Sequence, residues 1–130
     1  MDAPRILAGG LAVSRIVYGA SYLARPRTAG QTWIGRAARK PGAQVMVRSQ
    51  AARDIGLGLG ALRALWGGRD ADARVWMLAH ALADGVDTAA TFAARDRLPK
   101  RRARFALAVA AGSTAVAVVG AAGLRGAAAG

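Results

Sequence analysis

The chain has 130 residues, with 19 Lys or Arg against 7 acidic residues and a formal charge of +12, a length that holds one domain. It contains no cysteine, which excludes a disulfide framework, a thiolate nucleophile and any Cys-based metal site. A balance this basic would point to nucleic acid if the cations ran in stripes along helices. They collect instead in two blocks between long apolar runs, a membrane distribution that predicts no nucleic-acid partner; a soluble Arg-rich nucleic-acid binder follows only if the apolar runs are not spans.

The first apolar segment, ILAGGLAVSRIVYGASYLA over residues 6–24, is interrupted only by Arg15 and matches the roughly 20 residues that a helix needs to cross hydrocarbon. A cleaved signal peptide is the competing reading. The start MDAPR is weakly basic and Arg15 breaks the apolar region, so a retained span is expected. Residues 25–44 form a basic loop, with Arg25, Arg27, Arg36, Arg39 and Lys40. Between Thr28 and Lys40 the loop either holds a short interfacial helix, with Trp33 and Ile34 toward the acyl boundary, or is a solvated linker with one buried tryptophan.

The second segment, residues 45–67, is free of charge only from Ile55 to Leu62 and must tolerate Arg53, Asp54 and Arg63. A charge-balanced turn over 68–74 leads into the third, residues 75–94, which contains AHALADGVDTAATF. A second basic loop, 95–104, precedes the fourth segment, FALAVAAGSTAVAVVGAAGL over 105–124, which carries no charge. Basic loops thus alternate with neutral connections, as the positive-inside rule requires of four crossings with both termini outside. The expected fold is all-α, a four-helix transmembrane up-and-down bundle forming a single membrane domain over 1–130 in a bacterial plasma membrane. Its basic loops would meet anionic lipid headgroups, each charge contributing roughly 1 kcal/mol near the surface.

Three segments carry polar seams at helical spacing. His80, Asp84, Asp87 and Thr91 share one face of the third, Ser49, Arg53, Gly56, Gly60, Arg63 and Gly67 one face of the second, and Leu11, Arg15, Tyr18 and Tyr22 one face of the first. Counting outward from the turn sets Arg53 opposite Asp87, so the second and third segments should insert as a hairpin. A charged residue at the bilayer centre costs about 2.5–3.5 kcal/mol on insertion scales, and a partner of opposite sign is therefore required. The predicted intramembrane network joins Arg15, Tyr18, Tyr22, Arg53, Arg63, His80, Asp84 and Asp87. In it the two aspartates pair with Arg53 and Arg15, His80 is neutral and hydrogen-bonded, and a tyrosine closes the network. Gly56 and Gly60, at GxxxG spacing, are the predicted helix-packing residues. The same cluster has a functional reading, as a site where His80 and an aspartate exchange protons or hold a cation.

Neither catalytic residues, nor a cofactor, nor a metal site is expected. DGVD resembles the paired aspartates of CDP-alcohol phosphotransferases, but the further acidic pair of that family is missing. A single histidine leaves no credible Ser/His/Asp triad, and GLGLG lacks the lysine of a phosphate-binding loop. Small multidrug transporters share the size and the four spans, yet their intramembrane carboxylate is a glutamate on the first helix, where this chain has Arg15. RSQAARDIGLGLGALRAL and AHALADGVDTAATF, within residues 44–95, resemble a family of uncharacterised four-helix membrane proteins of high-GC bacteria, a domain of unknown function. That resemblance implies the bundle and no chemistry. The expected function is that of an accessory or structural membrane protein packing with itself, as a homo-oligomer, or with a larger membrane partner. The alternative is a proton- or cation-coupled small transporter using the Asp/His cluster.

Overall fold

The computed structural model describes residues 2–124, and no strand occurs among them. Helix α1 spans Ala3–Ala24, α2 Pro26–Ile34, α3 Pro41–Trp66, α4 Asp70–Ala94 and α5 Lys100–Gly123. Short 3₁₀ turns cover Gly35–Arg39 and Arg95–Arg97. Prolines open three of the helices: Pro4, Pro26 and Pro41 lie in first turns, where the missing N–H has no partner to lose and the fixed φ suits the helix. Gly35 and Gly68 take positive φ, 63° and 68°, which lets α2 stop sharply and α3 turn into α4 within three residues.

The basic loops expected at 25–44 and 95–104 are mostly ordered structure. The first folds into α2, a 3₁₀ turn and the start of α3, and the second gives a 3₁₀ turn and the first residues of α5. Helices also begin ahead of the apolar segments, α3 at Pro41 and α4 at Asp70. Hydropathy marks where a helix enters an apolar environment; Arg, Gln and Asp in its first turns are compatible with helix and invisible to that criterion.

Four helices close a ring in the order α1, α3, α4, α5, with α5 returning to α1. On α1 and α3, Gly19 meets Ala51 and Ile55 while Gly58 meets Ala12 and Ile16; numbers rise on one helix as they fall on the other, so the pair is antiparallel. Arg53 to Asp87 and Gly60 to Trp76 give the same sense for α3 and α4. Gly120 near Ala8 and Gly123 against Pro4 repeat it for α5 and α1. Both connections rich in Lys and Arg consequently lie at one end, where α2 packs across α1, α3 and α5.

The interior is built from small residues. Ala8, Ala12, Ala61, Ala64, Ala73 and Ala117 are buried, and the largest fully buried side chains are Met77 and His80. Large aliphatic residues point the other way, with Val17, Met46, Leu82 and Val86 all more than half exposed. Among the described residues, α1 and α5 are the two helices long and apolar enough to cross a membrane, and only 28% of each apolar stretch is buried. α3 and α4 fall short by composition because each carries internal charges.

Backbone proximity comes from glycines other than the pair expected. A β-carbon at Gly58 would sit 2.6 Å from the Ala12 carbonyl oxygen, and one at Gly19 2.7 Å from that of Ala51, whereas one at Gly56 would meet nothing within 4 Å. Gly60 does pack, against the Trp76 ring. Gly56 is exposed because the seam of α3 facing α4 runs through Gln50, Arg53, Leu57, Gly60 and Ala64, and Gly56 falls outside it. Gly58→Ala is expected to destabilise the bundle by roughly 1–3 kcal/mol through overpacking, while Gly56→Ala should stabilise it by up to about 1 kcal/mol of helix propensity. Unfolding midpoints in mixed detergent micelles measure both.

Candidate functional site

Three helices each send one or two charged side chains into the middle of the ring. Arg15 of α1 lies on the buried stripe with Leu11, Ala12 and Gly19. Asp54 of α3 lies on the stripe Val47, Ala51, Asp54, Gly58, Ala61, Leu65, whose members are all buried. Asp84 of α4 lies on the stripe Ala73, Met77, His80, Asp84, Thr91.

These groups form one chain of alternating sign. Arg15 is ion-paired through Nη2 with Asp84 and donates from Nη1 to Asp54 Oδ1 at 3.1 Å. The same Asp54 oxygen accepts from Arg53 Nη2 at 3.2 Å, and Arg53 Nη2 reaches Asp87 Oδ2 at 2.8 Å. Gln50 Nε2 also donates to Asp87 Oδ2, at 3.3 Å. The order is Asp84, Arg15, Asp54, Arg53, Asp87, so three carboxylates face two guanidinium groups and the formal sum is −1. Arg15, Asp54 and Arg53 each lie between two opposite charges and the end carboxylates each meet one, the condition under which charge is tolerated out of water.

The predicted pairing of the aspartates with Arg15 and Arg53 matches this geometry; the rest of the predicted network does not. Arg63 is exposed on the last turn of α3, since a seam phased on Arg53, Leu57 and Gly60 turns position 63 outward. Tyr22 bonds Thr32 Oγ1 of α2 at 2.8 Å and Tyr18 lies beside it with ring centroids 6.5 Å apart; neither hydroxyl bonds a charged group of the chain. His80 is fully buried, yet neither ring nitrogen has a hydrogen-bond partner in the protein, in contrast to the bonded histidine expected. Its neighbours on the core face, Met77 and Ala73, are apolar.

Asp54 is the central residue that sequence reasoning missed. Its signal was present: it is the only carboxylate in a stripe of small and aliphatic residues at 3- and 4-residue spacing. For Trp33, which the sequence leaves either at the acyl boundary or buried, the structure combines a helix with an inward-turned ring. Trp33 donates from Nε1 to Thr91 Oγ1 at 3.3 Å, and Arg102 of α5 donates to the Gln31 carbonyl oxygen, so α2 is fastened across the bundle end. At the opposite end Arg5 pairs with Asp70 and donates to the Leu65 carbonyl oxygen at 2.6 Å.

Above the charged chain lies a cavity of about 350 Å³. Arg15, Gln50, Asp54, Asp84 and Asp87 form its polar side. Tyr18 and Tyr22 wall it from α1, Phe105 and Val109 from α5, and Trp33 from α2. α1 and α5 touch near Ala8 and Gly120 and the cavity separates them at their other ends. Among the described residues no three His, Asp or Glu side chains gather as a metal-holding group.

Comparison with protein-family models, curated proteins and solved structures found no match.

Removing Asp54 leaves two interior guanidinium groups sharing fewer anions. Asp54→Ala should destabilise the protein by about 3–5 kcal/mol, as loss of one partner of a buried pair does, whereas Asp72→Ala, which breaks an exposed pair with Arg69, should change stability by under about 1 kcal/mol. Exchange of the partners, Arg53→Asp with Asp87→Arg, should recover part of the stability lost in either single variant, measured by a double-mutant cycle in detergent.

Proposed function

We propose that the chain is a small integral membrane protein crossing a bacterial plasma membrane four times, through α1, α3, α4 and α5, with the α2 end in the cytoplasm and both termini outside. The observation that carries this reading is the inverted packing of α4. Val75, Leu78, Leu82 and Val86 face outward at 47–70% exposure while His80 and Asp84 are buried. In water, burial of the aliphatic face and exposure of the carboxylates would be the stable arrangement. In hydrocarbon the preference reverses, and helices then associate through small residues and paired polar groups, the composition of this interior.

The role supported best is accessory or structural. Every guanidinium and carboxylate of the interior chain is engaged by another such group, which suits a fixed helix register, and the broad outer aliphatic surface suits packing with another copy or a larger membrane protein. A second reading is favoured by one specific observation: Asp84 and Asp87 border a cavity large enough for a small solute, as a proton- or cation-coupled transporter requires, with His80 one turn away on α4. No catalytic role is proposed.

Fractionation tests the membrane assignment: detergent should be needed for release, and release by high salt alone would defeat it. The chain has no native cysteine, so single cysteines report topology. Ala37→Cys and Arg97→Cys should be labelled only from the cytoplasmic side, and Asp72→Cys only from outside. For the two roles, Asp84→Asn and Asp87→Asn are measured for folding and for pH-driven solute flux in proteoliposomes. Lost folding with no flux in the parent chain supports the structural role; intact folding with lost flux supports transport.

A further inference from the structure

The charged chain and the cavity share a boundary, and their chemistries are complementary to one kind of ligand. Three carboxylates and one guanidinium border the space, with Arg53 engaged behind them. The summed formal charge of −1 calls for one added positive charge in a site of low polarity. The rest of the lining is rich in aromatic rings: Tyr18, Tyr22, Trp33 and Phe105 all line the cavity, in a chain with only 3 Trp, 2 Tyr and 2 Phe. Such concentration is independent of the carboxylates, and aromatic faces attract cations through the ring quadrupole.

From these two features we propose that the cavity binds a monovalent organic cation, an ammonium group carrying apolar substituents. A divalent metal ion is the poorer fit, because the carboxylates are held apart by guanidinium groups and do not converge on one point. Size agrees, since about 350 Å³ falls in the range of small-molecule sites. Tyr18 and Phe105 are 54% and 55% exposed, so the walls that α1 and α5 give the cavity reach the outer flank of the bundle. Within a bilayer that flank admits a ligand dissolved in the acyl region, which favours an amphiphilic cation over a hydrated one. The ammonium is supplied either by a free amine or by the headgroup of an amine-bearing lipid. This inference names a ligand for the second reading above and rests on it only for movement; binding stands or falls separately.

The test is calorimetric titration of the purified full chain in detergent micelles with benzyltrimethylammonium, and with its neutral carbon isostere neopentylbenzene and benzenesulfonate as controls. One ammonium per chain is expected, with binding at least about tenfold tighter than either control. Tyr18→Leu should weaken it about fivefold and Tyr18→Phe should leave it unchanged, because the ring and not the hydroxyl is the recognition element. Asp87→Asn, which brings the formal sum to zero, should weaken it at least about tenfold. If that variant does not fold, the exposed Tyr18 pair decides. Equal binding of the neutral isostere, no saturable binding, or an unaffected Tyr18→Leu would overturn the proposal. In nanodiscs, competition by phosphatidylethanolamine but not phosphatidylglycerol identifies the lipid source, and no competition by either identifies the free amine. Binding without flux in proteoliposomes defeats transport alone; proton-coupled flux without binding defeats this site alone.

Discussion

The structure depends on two arginines being shared among three aspartates. Arg15 joins α1 to both α3 and α4, and Arg53 joins α3 to α4, so three helices meet through a single connected set of ion pairs. Alternation of sign is what makes the arrangement tolerable away from water: each charge has an opposite neighbour at hydrogen-bonding distance, and none stands alone. Glycine supplies the other half of the condition. Gly19 and Gly58 bring α1 and α3 within backbone contact, on either side of Arg15 and Asp54, so the guanidinium of Arg15 reaches both carboxylates.

Much of this was legible in the sequence. The four long helices follow from four largely apolar segments, of which those in α1 and α5 are long and apolar enough to cross a membrane, and the facing of Arg53 and Asp87 follows from counting residues outward from a short turn. The rest was hidden for a physical reason. A helix in a ring has two neighbours, and α3 presents one seam to α1, through Ala51, Asp54 and Gly58, and another to α4, through Arg53, Leu57 and Gly60. A single polar face drawn through Ser49, Gly56 and Arg63 lies beyond the α4 seam, on the side turned away from α1, and so misses Asp54 altogether. Asp54 was passed over as a charge that the helix had to tolerate, although it is the residue on which both arginines meet.

The short α2 was legible only as an alternative between an interfacial helix and a linker. Its composition, with Trp33 and Ile34 among arginines, fits a headgroup-level helix, but the choice of direction for Trp33 depends on a hydroxyl, Thr91, that sits nearly sixty positions later in the chain. Side-chain orientation at that distance is a property of the folded bundle. With Trp33 turned in, α2 contributes an aromatic ring to the lining of the cavity.

The alanine-rich interior has a mechanical consequence. Smooth flanks offer few knobs to resist axial sliding, so van der Waals packing alone would permit neighbouring registers of nearly equal energy. The ion pairs act as a detent. Slipping α4 by one turn would put His80 or Thr88 where Asp84 now sits, and Ala83 or Thr91 in place of Asp87, stripping both arginines of an anion at once; the helix stack is therefore locked electrically at a position its shape leaves free.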